Sequence, residues 1–327
     1  MTPQEFRDIV YGFQTSRIIL TSIELQLYNA LEPEARTSEE TSKILLTDAR
    51  ATDRLMNVLC SLNLLEKKDG KFSNSAFSSR YLVKGKRDYI SNMLHAINLW
   101  ESWSGLTDAV KNGRPAEKFY ETRKFDWLEN LIEAMHYRGM KQADEDIGKI
   151  DLSGVNSVLD LGGGSGAFSI GFANAKNDLN AVVFDLPNVT PLTEKYIAEA
   201  GLSHRIKTLS GNYLLDDIGT GYDLIFLSAV VHSNSFEENK HLIKKCAAAL
   251  NLNGRIIIQD YVMDEDRTNP PSGAFFALNM LVNTNGGDTY TEKEITSWLT
   301  DAGLENILKK ETSYGIEQIS GQKIQHE

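Results

Sequence analysis

The sequence is poor in cysteine: Cys60 and Cys246 are its only two. They form no C-x-x-C pair, and two thiols cannot build a zinc site by themselves. A chain of 327 residues needs neither disulfides nor a structural metal to fold, because at this length about three-quarters of the unfolded surface can be buried. No metal is therefore expected. Long apolar runs are also missing, and none approaches the ~20 residues of a membrane-spanning helix. The opening stretch MTPQEFRDIVYG has no basic segment followed by an apolar one, so it does not read as a secretory signal. Together these absences predict a reducing, cytoplasmic location and no membrane partner. Basic charge is scarce too. Lys and Arg number 34 against 45 Asp and Glu, a net charge of −11. Residues 1–100 carry 13 basic and 12 acidic side chains, and residues 101–327 carry 21 and 33. Neither part advertises the basic face of a nucleic-acid binder. No repeat and no low-complexity tract is visible.

What is present has the composition of an ordinary globular protein, 41% hydrophobic and 24% charged, with a length suited to about two domains. Apolar spacing predicts a helix over 4–33, a short one over 37–46 headed by a Thr37–Glu40 capping box, and a third over 50–65. A hairpin follows at LEKKDGKFSNS, with Asp69-Gly70 at its turn. Three helices and a hairpin in that order describe a winged helix. Further helices are predicted over 89–112 and 117–149. From residue 155 the texture changes. Strand-like runs at 157–161, 181–186, 205–211, 222–230 and 255–262 alternate with helical stretches at 166–176, 190–201 and 236–250. That alternation predicts a parallel sheet covered on both faces. The expected division is 1–105 and 106–327.

The most telling segment is VLDLGGGSGAFSI, residues 158–170. A strand runs into four glycines and then a helix, which lets a ligand approach the backbone and the free N–H groups of the helix start. Read loosely, Gly162-x-Gly164-x-x-Ala167 fits a dinucleotide fingerprint. Asp160 argues otherwise, because a carboxylate beside the loop repels a pyrophosphate. It suits S-adenosylmethionine, which carries an ammonium and a sulfonium and no phosphate. Asp185, at the end of the next strand, is placed for a ribose and serves either ligand.

In order, the chain carries D-L-G-G-G-S-G at 160–166, F-D-L-P at 184–187, S-G-N-Y at 210–213, L-S-A-V-V-H at 227–232, E-E-N at 237–239, G-R-I-I-I-Q-D at 254–260, D-E-D-R at 264–267 and L-N-M-L-V at 278–282 before Gly286-Gly287. In this it resembles the O-methyltransferases of the hydroxyindole and caffeate type over nearly its whole length. The resemblance implies an α/β fold: a Rossmann-like methyltransferase domain behind a winged-helix dimerisation domain, acting as a homodimer on a small molecule. It also implies that Asp160, Gly162, Gly164 and Gly166 face the amino-acid end of S-adenosylmethionine. Asp185 would take the ribose, Leu186 and Tyr213 would pack on the adenine, and Asn212 would stand where the family has an Asp. Ser228 occupies the place of a plant Lys, which removes a charged contact to the cofactor carboxylate. Met135, Phe276, Asn279, Met280 and Thr284 are the implied acceptor contacts.

Methyl transfer from a sulfonium needs the acceptor positioned and its proton removed. Histidine is the side chain best suited to take that proton near neutral pH. Of His95, His136, His204, His232, His241 and His326, His232 stands just past the fourth strand and matches the family base. Asp260 matches the acid that steadies it. The usual H-D-W reads His232-Ser233-Asn234 here, and a second acid aligns with Thr289, so the support around the base looks thinned. A thiol, an enolised carbonyl or a carbon acceptor stays open for that reason, as does a family member that binds the cofactor and does other chemistry. Two further alternatives remain: a winged-helix regulator sensing S-adenosylmethionine, which the apolar helix 50–65 disfavours, and a nicotinamide enzyme, which Asp160 disfavours.

Overall fold

The computed structural model describes residues 1–90, 93–116, 127–312 and 315–325, the side chains at 127 and 130 excepted. The chain forms two compact units, Met1–Trp100 and Glu101–Glu327.

In the first unit, α1 (Pro3–Glu24) opens on a capping box of Thr2 with Glu5. The single helix expected over 4–33 is broken. Gln26 takes a left-handed φ of 54°, and α2 (Leu27–Leu31) is separate. No glycine or proline marks this break, which is why periodicity ran through it. The predicted Thr37–Glu40 box heads α3 (Ser38–Leu45), with Thr37 N–H donating to the Glu40 carboxylate at 2.8 Å. Asp48 caps α4 (Ala49–Ser61). Strands β1 (Leu65–Lys68) and β2 (Lys71–Asn74) pair antiparallel. Their turn residues Asp69 and Gly70 have φ of 49° and 75°, the double positive that a tight hairpin demands. The helix α5 (Ala76–Tyr81) follows, and α6 (Met93–Ser104) runs across the division between the units. Ile23, Leu27, Tyr28, Met56, Leu59 and Phe72 form the common core. Along α1, Phe6, Ile9, Val10, Tyr11 and Phe13 are 49–66% exposed in the single chain.

The second unit begins with α7 (Leu106–Asn112), after a break at Gly105, and α8 (Trp127–Gly148). The part of the expected helix over 117–126 lies outside the described residues. Then come β3 (Ser157–Leu161), α9 (Ala167–Ala175), β4 (Asn180–Asp185), α10 (Thr190–Glu199), β5 (Ile206–Ser210) and β6 (Tyr222–Ser228). The remainder is α11 (Phe236–Ala249), β7 (Leu250–Asp260), β8 (Val262–Met263), α12 (Pro271–Asn283), β9 (Tyr290–Thr291), α13 (Glu292–Asp301), β10 (Glu305–Glu311) and β11 (Glu317–Gln322). The main sheet has the order β10-β11-β7-β6-β3-β4-β5.

Strands β3 to β7 are parallel, as the alternation predicts. The expectation of a wholly parallel sheet is corrected at one edge, where β11 runs antiparallel to β7 and β10 antiparallel to β11. ENILKKE is mostly exposed and EQISGQ is half polar, so neither has the apolar run that announces a buried strand. By contrast, β6 is buried on both faces and reads as a continuous apolar segment. The chain winds outward from β3 to β4 and β5, then returns to lay β6 on the other side of β3. Ligands bind in such open sheets at this reversal, beyond the carboxyl ends of the strands.

Candidate active site

At that reversal lies a partly open cleft with a cavity volume of about 140 Å³. Its walls come from the strand ends of β3, β6 and β7 and from helices α8 and α12. They include Asp160, Gly162–Ser165, Phe168, Ser228, Ala229, His232, Gln259 and Asp260.

The glycine loop is held from below. Gly162, Gly164 and Gly166 have φ of 67°, 55° and 77°, conformations that other residues adopt only under strain. Gly162 also permits a close approach, since a Cβ there would lie 2.9 Å from the Val230 side chain. Asp185 pins the loop: its Oδ2 accepts from Gly164 N–H at 2.8 Å and its Oδ1 from Leu186 N–H at 2.7 Å. Burial raises the Asp185 carboxyl, and these two backbone bonds oppose the rise. Asp160 is 1% exposed. Its Oδ2 accepts from the Ser169 hydroxyl at 2.8 Å and Ser169 N–H at 3.2 Å. Burial nevertheless pushes it up to about 6. Each carboxylate keeps acceptor capacity beyond the bonds it makes, so a ligand with hydroxyls and an ammonium fits this end and a pyrophosphate does not.

At the other end, His232 sits in a short turn (Val231–Ser233) after β6. Its Nδ1 lies 2.8 Å and 2.9 Å from the two oxygens of Asp260. A carboxylate can only accept, so Nδ1 carries a proton, and in the neutral ring Nε2 is left as the acceptor. His232 is 9% and Asp260 3% exposed. The Phe276 ring packs edge-on against His232 at 4.8 Å and tilts against Tyr261 at 4.7 Å. Ala229, three residues ahead, holds a φ of 58°, the kind of local strain that clusters at functional sites. The double glycine serves this turn: a Cβ at 287 would collide with the His232 carbonyl, and Asp288 N–H donates to that carbonyl at 3.0 Å.

Of the departures from the family pattern, Asn234 is tied into the turn that carries His232. Asn234 is buried and accepts from the Tyr213 hydroxyl at 3.1 Å, and its amide donates to Asn239 at 3.0 Å. Asn239 in turn donates to the Val231 carbonyl at 2.8 Å. The E-E-N motif therefore fastens the histidine turn. Thr289 is turned away, its hydroxyl on the Gly273 carbonyl at 3.4 Å.

Among the expected site residues, Asp160, Gly162, Gly164, Ser228, His232, Asp260, Met135 and Phe276 line the cleft. The others are not among its wall residues. Gly166 caps the start of α9. Leu186 is 43% exposed, and the Asn212 side-chain Oδ1 accepts from Leu214 N–H at 2.9 Å. Tyr213 is pushed up to about 12 by burial. Asn279 accepts from the Trp103 indole at 3.0 Å, Met280 is buried, and Thr284 closes α12 through the Met280 carbonyl at 2.8 Å. The sequence reading missed Arg138, Gln142, Phe168, Gln259, Tyr261 and Ile316, all in the cleft wall. Phe168 lay inside the glycine motif and Gln259 and Tyr261 beside Asp260, so proximity could have found them. Arg138, Gln142 and Ile316 carried no such signal. His136 is engaged elsewhere, with Ser165 at 3.0 Å and stacked on Tyr196 at 3.9 Å. His326 lies outside the described residues. No group of three or more His, Cys, Asp or Glu among the described residues could hold a metal ion, and no described helix is long and apolar enough to cross a membrane.

Comparison with known proteins decides the family. The O-methyltransferase domain model matches residues 103–305, and the O-methyltransferase dimerisation domain model matches residues 8–84. The chain belongs to the O-methyltransferase family. It is 30% identical to the 3-hydroxy-5-methyl-1-naphthoate 3-O-methyltransferase of Streptomyces sahachiroi, over 93% of this chain and 90% of the relative. It is 26% identical to the acetylserotonin O-methyltransferase of Bos taurus, over 97% and 96%. Its fold is shared with an O-methyltransferase family protein of Burkholderia thailandensis, with a TM-score of 0.88 at 23% identity over 100% and 99% of the two chains. The human N-acetylserotonin methyltransferase, solved in complex with SAM, gives 0.83 at 23% over 98% and 97%. The protein is thus a methyltransferase with an N-terminal dimerisation domain.

Proposed function

We propose that this methyltransferase binds S-adenosylmethionine in the cleft and methylates a hydroxyl of a small aromatic acceptor, with His232 as general base. The observation that carries the reading is the His232–Asp260 pair at 2.8 Å, which opens into the same cleft as the glycine loop. The sulfonium supplies an already activated methyl group. Asp185 holds the ribose hydroxyls, and Leu186, Asn212 and Tyr213 surround the adenine. Asp160 and the loop Gly162–Gly164–Gly166 receive the amino-acid end beside Ser228. Met135 and Phe276 flank the acceptor, with Asn279, Met280 and Thr284 backing that wall. His232 Nε2 takes the hydroxyl proton as the new O–C bond forms and the S–C bond breaks, leaving S-adenosylhomocysteine. Asp260 keeps the proton on Nδ1 and stabilises the imidazolium.

Relatives that act on a hydroxynaphthoate and on acetylserotonin support an aromatic acceptor, as do the rings of Phe276 and Tyr261. Incubation with methyl-labelled S-adenosylmethionine and a panel of phenols, hydroxynaphthoates, thiols and β-keto acids tests this. Label on oxygen is the expected result, and label found only on sulfur or carbon overturns it.

We further propose that residues 1–105 hold a homodimer and residues 106–327 carry the chemistry, without nucleic acid, membrane or metal, in the cytoplasm, where Cys60 and Cys246 stay reduced. The exposed apolar row on α1 supports self-association. Light scattering should give twice 36.5 kDa, and a monomeric mass at micromolar concentration contradicts it.

A further inference from the structure

We propose that Arg138 and Gln142 form the carboxylate clamp of the cofactor site, replacing the cation that position 228 does not supply. The proposal rests on the cofactor reading above and assigns one part of that ligand to residues no motif marks. Both side chains stand on α8 and line the cleft together with Gly162–Ser165, Asp160 and Ser228. Four residues apart on a helix, they share one face.

Three observations select a carboxylate. First, among the described residues Arg138 has no ion-pair or hydrogen-bond partner, and it is the only Lys or Arg among the described residues of the cleft wall. Second, Gln142 is 4% exposed and its amide makes no hydrogen bond with a described residue. It stands in the cleft wall, where its amide can bond a ligand. A planar guanidinium fork beside an amide N–H₂ is matched by a carboxylate, which only accepts. Third, Ser228 offers a hydroxyl and no charge, and that hydroxyl already accepts from the Gln259 amide at 3.2 Å.

The position of α8 decides which carboxylate is meant. A Cβ at Gly139 would lie 2.8 Å from the Ala167 Cβ, so the helix crosses tightly over the first residue of α9. His136 on the same helix touches Ser165 in the glycine loop at 3.0 Å. Arg138 and Gln142 flank that crossing and stand by the loop, where the amino-acid tail is placed. The tail is a zwitterion. Asp160 is the buried acid for its ammonium, and Arg138 with Gln142 completes the match for its carboxylate.

Calorimetry with S-adenosylmethionine and with decarboxylated S-adenosylmethionine, which lacks only the carboxylate, tests the assignment. Wild-type protein should bind the intact ligand at least about tenfold more tightly than the decarboxylated one. Arg138→Ala should weaken the intact ligand by about 10–100-fold, leave the decarboxylated one within about twofold, and so close the gap. Arg138→Lys should restore part of it, and Gln142→Leu should narrow it by a few-fold. A gap that persists in Arg138→Ala, or an equal loss for both ligands, overturns the clamp and leaves the cofactor reading standing. Wild-type protein that binds neither ligand overturns both.

Discussion

The two ends of the cleft are built in opposite ways. At the glycine end, backbone does the work: N–H groups of Gly164, Leu186 and Ser169 fix Asp185 and Asp160 before any ligand arrives. At the reacting end, one histidine and one carboxylate stand against the rings of Phe276 and Tyr261. The contrast follows from the chemistry. A zwitterionic, hydroxyl-rich cofactor has many polar groups to satisfy, and an activated methyl leaves the protein only a position to hold and one proton to move. Changes at the first end should therefore act on affinity, and changes at the second on turnover.

The sharpest separation comes from His232→Ala. Turnover on a phenolic acceptor should fall by ~10²–10⁴-fold, the usual contribution of a general base, with S-adenosylhomocysteine affinity nearly unchanged by calorimetry. Asp260→Asn should cost nearly as much. The amide would donate to Nδ1, move the ring proton to Nε2 and remove the base. A loss of less than tenfold would show that the second carboxylate oxygen at 2.9 Å is not orienting the ring.

At the glycine end, Asp185→Ala should weaken cofactor binding by about 1.5–3 kcal/mol, the worth of charge-assisted hydrogen bonds, roughly 10–100-fold in Kd. Turnover at saturating cofactor should change much less. An unaltered Kd with depressed turnover would dissolve the distinction between the two ends.

The smallest effect is a pH dependence. Asp160 is raised from 3.8 to about 6 by burial, so it is protonated below that pH in the empty protein and loses its attraction for an ammonium. Affinity for S-adenosylmethionine should fall several-fold between pH 7 and pH 5, and Asp160→Asn should flatten the profile. The sign for stability is the reverse. An acid with a raised folded pKa binds more protons folded than unfolded, so its ionisation costs stability as pH rises from about 4 through about 6. Thermal melts of the empty Asp160→Asn protein at pH 7 should show a gain on the order of 1–3 kcal/mol, and a loss would contradict it.

The same contrast governs what the sequence made legible. Local chemistry was readable: the Thr37–Glu40 box, the Asp69-Gly70 turn and the glycine loop appear as expected because each is set by neighbours a few residues apart. His232 was singled out by its place past a strand end together with the family motif, and Asp260 by the family motif. What escaped needs contacts between distant segments. Arg138 and Gln142 enter the cleft because Gly139 lets α8 lie on α9, and no spacing rule connects residues 139 and 167. Ile316 arrives with an edge hairpin whose strands are too polar to register. At His232-Ser233-Asn234 the place of Asn234 escaped because its partners Tyr213 and Asn239 are brought to it by the fold.

The proposed chemistry rests on the proton transfer to His232. The most direct measurement is transfer of labelled methyl from S-adenosylmethionine to an unionised hydroxyaromatic acceptor, comparing wild-type protein with His232→Ala at equal cofactor saturation. An O-methylated product from the wild type and a loss of ~10²–10⁴-fold in the variant are expected. Equal rates for the two proteins on that acceptor would contradict the proposed chemistry.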